Sequence, residues 1–138
     1  MTRLLLSTCL VACLLAASAH ADEQAPDLAT GTLYLFASAS IPASSLHTLA
    51  RDAGATRTPM ILRGLIGHSL QETLMHMKPV TDLGAALEID PLLYEAYGVA
   101  VVPAVVLTCG GRGQGPFAIV YGLSPSAARP ILHKQLTC

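Results

Sequence analysis

The run Tyr97-Gly98-Val99-Ala100-Val101-Val102-Pro103-Ala104-Val105-Val106-Leu107-Thr108 decides the fold. Gly98 accepts the left-handed conformation that follows a last helical turn, so a helix is expected to stop there, and an apolar run rich in strand formers begins directly after it. Pro103 interrupts that run, and a proline donates nothing to a sheet ladder. Either a strand starts at Ala104, or the segment is not a central strand. A strand over Ala104–Thr108 fits the composition better.

Downstream, the glycine-dense turn Gly110 to Pro116 precedes a second strand-forming run, Phe117 to Tyr121. Two strands joined by a short glycine loop predict an antiparallel hairpin. Ser124-Pro125 then opens a closing helix with Ala128, Ile131, Leu132 and Leu136 at helical spacing. Pro130 removes a backbone bond inside it at a cost of about 3 kcal/mol, which predicts a kink or a late start.

Upstream, Asp90-Pro91 pairs a capping aspartate with a first-turn proline, so a helix runs from there to Gly98 with Leu92, Leu93, Ala96 and Tyr97 inward. Ala85 to Ile89 predicts a short strand before it. Ser69 caps an earlier helix whose Leu70, Leu74 and Met77 share a face, with Pro79 limiting its length. Met60 to Ile66 predicts a buried strand containing Arg63 and Gly64. Before that, Leu33 to Phe36 is too short for a helix and suits a buried strand, while Ser40 as cap and Pro42 in the first turn start a helix that ends at Gly54.

Composition limits what these elements can build. The chain has 138 residues, 52% of them apolar and 12% charged, which suits one folded domain and excludes a disordered chain. Residues 1–21 predict a cleaved secretory signal peptide: Arg3 is basic, Leu4 to Ala17 is apolar, and Ala19-His20-Ala21 is a small-x-small cleavage site. The apolar core is shorter than the roughly 20 residues of a membrane-spanning helix. A lipoprotein-type cleavage before Cys13, after Leu10-Val11-Ala12, is the competing possibility. Residues 22–31 are a short polar lead-in, and residues 32–138 form the domain.

Arg3 is the only Lys, Arg, Asp or Glu in the leader, so the exported chain keeps seven cationic against nine acidic residues, a net charge near −2. Such a balance offers no electrostatic footprint for nucleic acid or anionic membrane, and no further stretch is long enough to span a bilayer. Cys109 and Cys138 alone remain of the four cysteines, in what is expected to be an oxidising compartment.

In order, the elements read β-α-β-α-β-α-β-β-α with a proline before the terminal hairpin, which resembles the thioredoxin plan: a central mixed sheet, flanking helices and a C-terminal antiparallel hairpin. On that resemblance the Val102-Pro103 bond is expected to be cis, and Ser40-Ile41-Pro42-Ala43 stands where Cys-x-x-Cys would stand. Redox exchange at that turn needs a low-pKa thiolate, which a serine without a base does not replace. The same path carries Cys109 to the hairpin end of the sheet and brings Cys138 back to it, so a disulfide is expected. Two free thiols are the alternative.

A narrower resemblance lies in Leu-Tyr-Leu-Phe-x-Ser-x-Ser-Ile-Pro (33 to 42), Ile-Leu-Arg-Gly-Leu (61 to 65) and Ile-Asp-Pro-Leu-Leu-Tyr-x-x-Tyr-Gly-Val-x-x-Val-Pro-Ala-Val-Val (89 to 106). These blocks resemble the TrbC family of F-type conjugative pilus assembly proteins. The resemblance implies a periplasmic thioredoxin-like protein of a type IV secretion apparatus, without enzyme activity or cofactor, acting with TraW-like periplasmic partners in pilus assembly. Family members often carry a longer region ahead of this domain, whereas about ten residues separate the expected cleavage site from the first strand here.

The remaining candidate groups carry little chemistry by themselves. His47, His68, His76 and His133 lack metal-ligand spacing. Ser40 sits in no Gly-x-Ser-x-Gly elbow, and the glycine turn lacks the lysine and following helix of a phosphate loop. Arg63 is costly in an apolar strand unless it is paired or at the strand's end; otherwise it joins Ser40, Pro42 and Pro103 in a partner-binding face. Three classes of function follow: an assembly module, a thiol-disulfide enzyme acting through Cys109 or Cys138, and a small-ligand or chaperone-like periplasmic protein.

Overall fold

The computed structural model describes residues 31–138; the expected signal peptide and residues 22–30 of the lead-in lie outside them. The elements follow as β1 (Thr32–Ala37), α1 (Ala43–Thr56), β2 (Met60–Leu62), α2 (Leu70–Asp82), β3 (Leu87–Ile89), α3 (Pro91–Ala96), β4 (Ala104–Thr108), β5 (Phe117–Tyr121) and α4 (Pro125–Gln135). They form a mixed α/β domain with one five-stranded sheet in the order β3-β2-β1-β4-β5. β1, β2 and β3 are mutually parallel, β4 is antiparallel to β1, and β5 is antiparallel to β4. This arrangement is compatible with the thioredoxin-like plan.

From Leu33 to Ala37, β1 is buried and built of apolar and aromatic side chains because it is covered on both faces, as a central strand of such a sheet must be. Leu33, Leu35 and Ala37 alternate onto the face packed by α1, α2 and α4, together with Met60, Leu62, Val105, Leu107, Met77 and Leu132. Tyr34 and Phe36 point the other way, against Leu93, Tyr94 and Tyr97 of the α3 segment. Phe36 meets Tyr94 edge-on with ring centroids 4.8 Å apart, a geometry that adds about 1 kcal/mol beyond burial.

Several local expectations need correction. α1 starts at Ala43, not at Ser40: Pro42 is its N-cap, no side chain caps it, and the Ser40 hydroxyl bonds to Ser38 Oγ at 3.0 Å. The same helix runs past Gly54 and closes on Arg57, whose left-handed backbone does the stopping. Gly54 instead permits close approach, since a Cβ there would stand 2.9 Å from the backbone of Gly84. β2 ends at Leu62, so Arg63 and Gly64 lie in an exposed bend and not inside an apolar strand. α2 continues through Pro79 to Asp82; Pro79 is exposed, so water can serve the carbonyl it leaves unpaired.

The inner faces of two helices also differ. α2 buries Thr73, Met77 and Val80 while Leu70 and Leu74 stay exposed, and α3 buries Leu93 and Tyr94, with Tyr97 just beyond it, while Leu92 and Ala96 stay exposed. Thr73 takes a core position by donating its hydroxyl to the Ser69 carbonyl at 2.7 Å and accepting from the Ile66 amide at 2.8 Å. α4 begins at Pro125 and passes through Pro130, so the late start does not occur. The Asp52 carboxylate of α1 supplies its N-terminal bond, accepting from the Ser126 amide at 2.8 Å.

The glycine turn is more than a plain hairpin. It folds back over the α3 face, where Arg112 ion-pairs with Glu88 at 2.7 Å and Asp90 at 2.8 Å and lies 5.7 Å over the Tyr34 ring. The Gly113 amide donates to the Tyr97 hydroxyl at 2.9 Å.

Candidate functional site

The strand directions set what meets at each end of the sheet. β1, β2 and β3 all finish at one end, where β4 begins and β5 finishes. The β1–α1 turn, the bend after β2, the start of α3 and the segment before β4 therefore converge there. Parallel α/β sheets place ligands and partners at this end, because the loops can vary there without disturbing the strands.

Two cavities open at it. The larger is a groove of about 680 Å³ lined by Ser40, Ile41, Pro42, Ser44, Ser45, Thr48, Val102, Pro103 and Ser124, among others. The Val102-Pro103 peptide bond that borders it is cis. The Pro103 carbonyl accepts from the Gly122 amide at 2.9 Å, which ties this segment to the end of β5. On the other flank of the β1–α1 turn, a cavity of about 320 Å³ is lined by Ala37, Ser38, Ala39, Leu62, Arg63, Gly64, Leu65 and Ile66.

Ser40, Pro42 and Pro103 thus share one groove, while Arg63 belongs to the neighbouring cavity. Among the described residues, Arg63 is the only charged side chain lining either one. Its guanidinium lies 5.7 Å over the ring of Tyr94, a cation–π contact, and no carboxylate pairs with it among the described residues.

Tyr94 is a residue at this end of the sheet that the sequence did not single out. Its hydroxyl reaches the Ala37 carbonyl at 2.7 Å and the Ile61 carbonyl at 3.0 Å, so α3 is bolted to the adjacent ends of β1 and β2. Burial pushes its phenol up to about 12, so it stays a neutral donor at any physiological pH. An aromatic among apolar neighbours on a short helix signals core; only the chain path brings its hydroxyl to two carbonyls.

The end is rimmed by exposed apolar groups. Ten large apolar side chains are exposed among the described residues, and six of them, Leu65, Leu70, Ile89, Leu92, Val101 and Tyr121, lie here. Leu92 is 70% and Val101 63% exposed, so neither contributes much to the core. Apolar groups clustered in this way mark contact surfaces.

The remaining candidates lie elsewhere. Cys109 and Cys138 are joined at the opposite end of the sheet, with Cα atoms 5.2 Å apart. Among the described residues no group of His, Cys, Asp and Glu could hold a metal ion, and no helix is long and apolar enough to cross a membrane. The Asp90 carboxyl sits below its ordinary value of 3.8 because Arg112 hydrogen-bonds to it. Partial burial alone would raise the Asp52 carboxyl, but the bonds from Ser126 and Ser124 outweigh that and hold it low.

Comparison with known proteins adds two similarities. Residues 35–122, from β1 to the end of β5, match the family described as type-F conjugative transfer system pilin assembly protein. Over 81 residues the chain is 35% identical to Periplasmic protein TrbC of Escherichia coli (strain K12), which covers 57% of this chain and 38% of that protein. The chain thus spans well under half of that relative's length. No solved structure matches it.

Proposed function

The chain belongs to the family of type-F conjugative transfer system pilin assembly proteins, and we propose that it is a non-catalytic assembly factor of that system. On this proposal it works in the periplasm, after export through a cleaved leader, by contacts with other transfer proteins of the TraW-like kind. The contact surface is the end of the sheet around Pro103, including Ser40, Pro42 and, across the β1–α1 turn, Arg63.

The observation that carries the proposal is the contrast at this end between good binding relief and absent reaction chemistry. Two cavities and six exposed apolar side chains meet there. Yet the turn reads Ser40-Ile41-Pro42-Ala43, and the Ser40 hydroxyl bonds to Ser38, which cannot serve as a base. A thiol-disulfide enzyme would need its sulfurs here, whereas Cys109 and Cys138 are bonded to each other at the far end.

The test is a photo-cross-linking residue placed at Val101 and, as a control, at Gln135, which is exposed near the far end of α4. In cells carrying a type-F system, Val101 should give adducts with other transfer proteins and Gln135 should not. Equal adducts at both positions, or none at Val101, would refute the proposed surface.

A further inference from the structure

The sheet has two edges, and they are built differently. The β3 edge is three residues long and carries Glu88, which is ion-paired to Arg112. A short, charged edge resists pairing with another chain. The β5 edge is five residues long, Phe117-Ala118-Ile119-Val120-Tyr121, with no charge, no proline and no bulge in its register with β4.

Which backbone groups β5 leaves open follows from its ladder. The Cys109 amide donates to the Pro116 carbonyl and the Gly122 amide to the Pro103 carbonyl, so these residue pairs are the hydrogen-bonded ones at either end. Antiparallel pairs alternate. Ala118 and Val120 therefore bond to Leu107 and Val105, and Phe117, Ile119 and Tyr121 turn their N–H and C=O groups outward. No backbone partner takes those groups among the described residues.

We propose that this edge is the self-association surface of the protein, where β5 of one copy pairs antiparallel with β5 of a second across a two-fold axis at Ile119. The outward-facing positions are symmetric about that residue, so Phe117 meets the second copy's Tyr121, Ile119 meets Ile119, and each pair exchanges both of its hydrogen bonds. Phe117, Ile119 and Tyr121 share one face of the strand, so each copy's Phe117 stacks beside the other's Tyr121. One edge of the Phe117 ring meets Tyr97 at 5.0 Å between centroids, but Phe117 and Tyr121 are still 40% and 49% exposed, which leaves the outer part of each ring open to the second copy.

Charge selects the second copy over an ionic partner strand. From Pro103 to Ala128 the only charged residue is Arg112, and Glu88 and Asp90 already neutralise it. Two copies facing each other here bring no like charges together, and the strand offers nothing that would favour a basic or acidic partner.

The experiment uses the protein as recovered from expressing cells. Sedimentation velocity up to roughly 100 µM, a range suited to a small interface, should show a monomer–dimer equilibrium. Amide exchange should slow with concentration at Phe117, Ile119 and Tyr121, and stay unchanged at Ala118 and Val120. Tyr121→Lys, at an exposed position, should keep the circular dichroism of the parent and weaken association by roughly ten-fold or more, since the charge enters twice. A monomer throughout, a dimer without protection at those three amides, or an unweakened Tyr121→Lys dimer would overturn the proposal. So would protection that appears only when another transfer protein is added, which would give the edge to a partner strand.

Discussion

The two ends of the sheet are finished in opposite ways. At the end where β1, β2 and β3 stop, loops spread around two cavities, apolar side chains face water, and α1 begins without a side-chain cap. At the other end the chain is clamped: Cys138 is bonded to Cys109, and α1 lies against the turn after α2 through Gly54 and Gly84. Gly31 fits there at a left-handed φ of 74°, where a Cβ would stand 2.8 Å from the Cys138 sulfur. On the proposed function, the difference means that stability and contact rest on separate sets of residues, so each should change without the other.

Cutting the staple should have the largest effect on stability. The bridge closes a segment with a sequence separation of 29, so Cys138→Ser should lose about 3 to 4 kcal/mol, read as a lower denaturant midpoint with a slope equal to or steeper than the parent's, because the uncrosslinked unfolded chain exposes more surface. Recovery of Cys138 as a free alkylated thiol from the unreduced protein would remove the staple from the account.

Next in size is the helix contact at the same end. Gly54→Val should cost roughly 1 to 3 kcal/mol, because the atoms it would meet are backbone atoms of Gly84 and Leu83 that cannot swing away. A neutral or stabilising effect would mean that the α1–α2 approach is loose.

Smaller still is the bond between helices. Asp52→Asn keeps an oxygen that accepts from the Ser126 amide and removes only the charge, so it should cost about 0.3 to 0.5 kcal/mol after solvent screening of this half-buried group. The Asp52 carboxyl is held low in the folded state, so its contribution is complete above its ordinary value of 3.8 and fades as pH falls through the lower folded value. The variant and the parent should therefore begin to converge only as pH falls below 3.8, and be equal once pH is below the folded value. A difference that persists there would assign the effect to packing instead of charge.

How much of this could be read beforehand depends on whether the signal is local. The element order, the strand that begins after Pro103, the hairpin and the convergence of Cys109 and Cys138 all rest on patterns within a few residues plus a chain path. Helix starts were less legible: Ser40 offers a good cap, yet its hydroxyl is taken by Ser38 before the helix begins. The bond from Asp52 to Ser126 joins residues 74 apart, and Tyr94 to Ala37 joins residues 57 apart, so no window of sequence contains either.

The most instructive misreading concerns Leu70, Leu74 and Leu92. Their spacing is that of a core face, and they are 56%, 56% and 70% exposed. A helix face that meets a partner and one that meets its own sheet obey the same periodicity, because both exclude water. Only the fold separates them, and it leaves Leu70 and Leu92 at the open end.

The separation of the two ends is therefore tested most directly by changing that rim and reading stability and transfer together. Leu92→Asp with Val101→Asp should leave the unfolding free energy within about 0.5 kcal/mol of the parent, as exposed positions do. In a donor whose only copy of the gene is this variant, pilus assembly and plasmid transfer should fall by at least roughly ten-fold, the equivalent of about 1.4 kcal/mol of lost contact. Normal transfer by a stably folded variant would contradict the account.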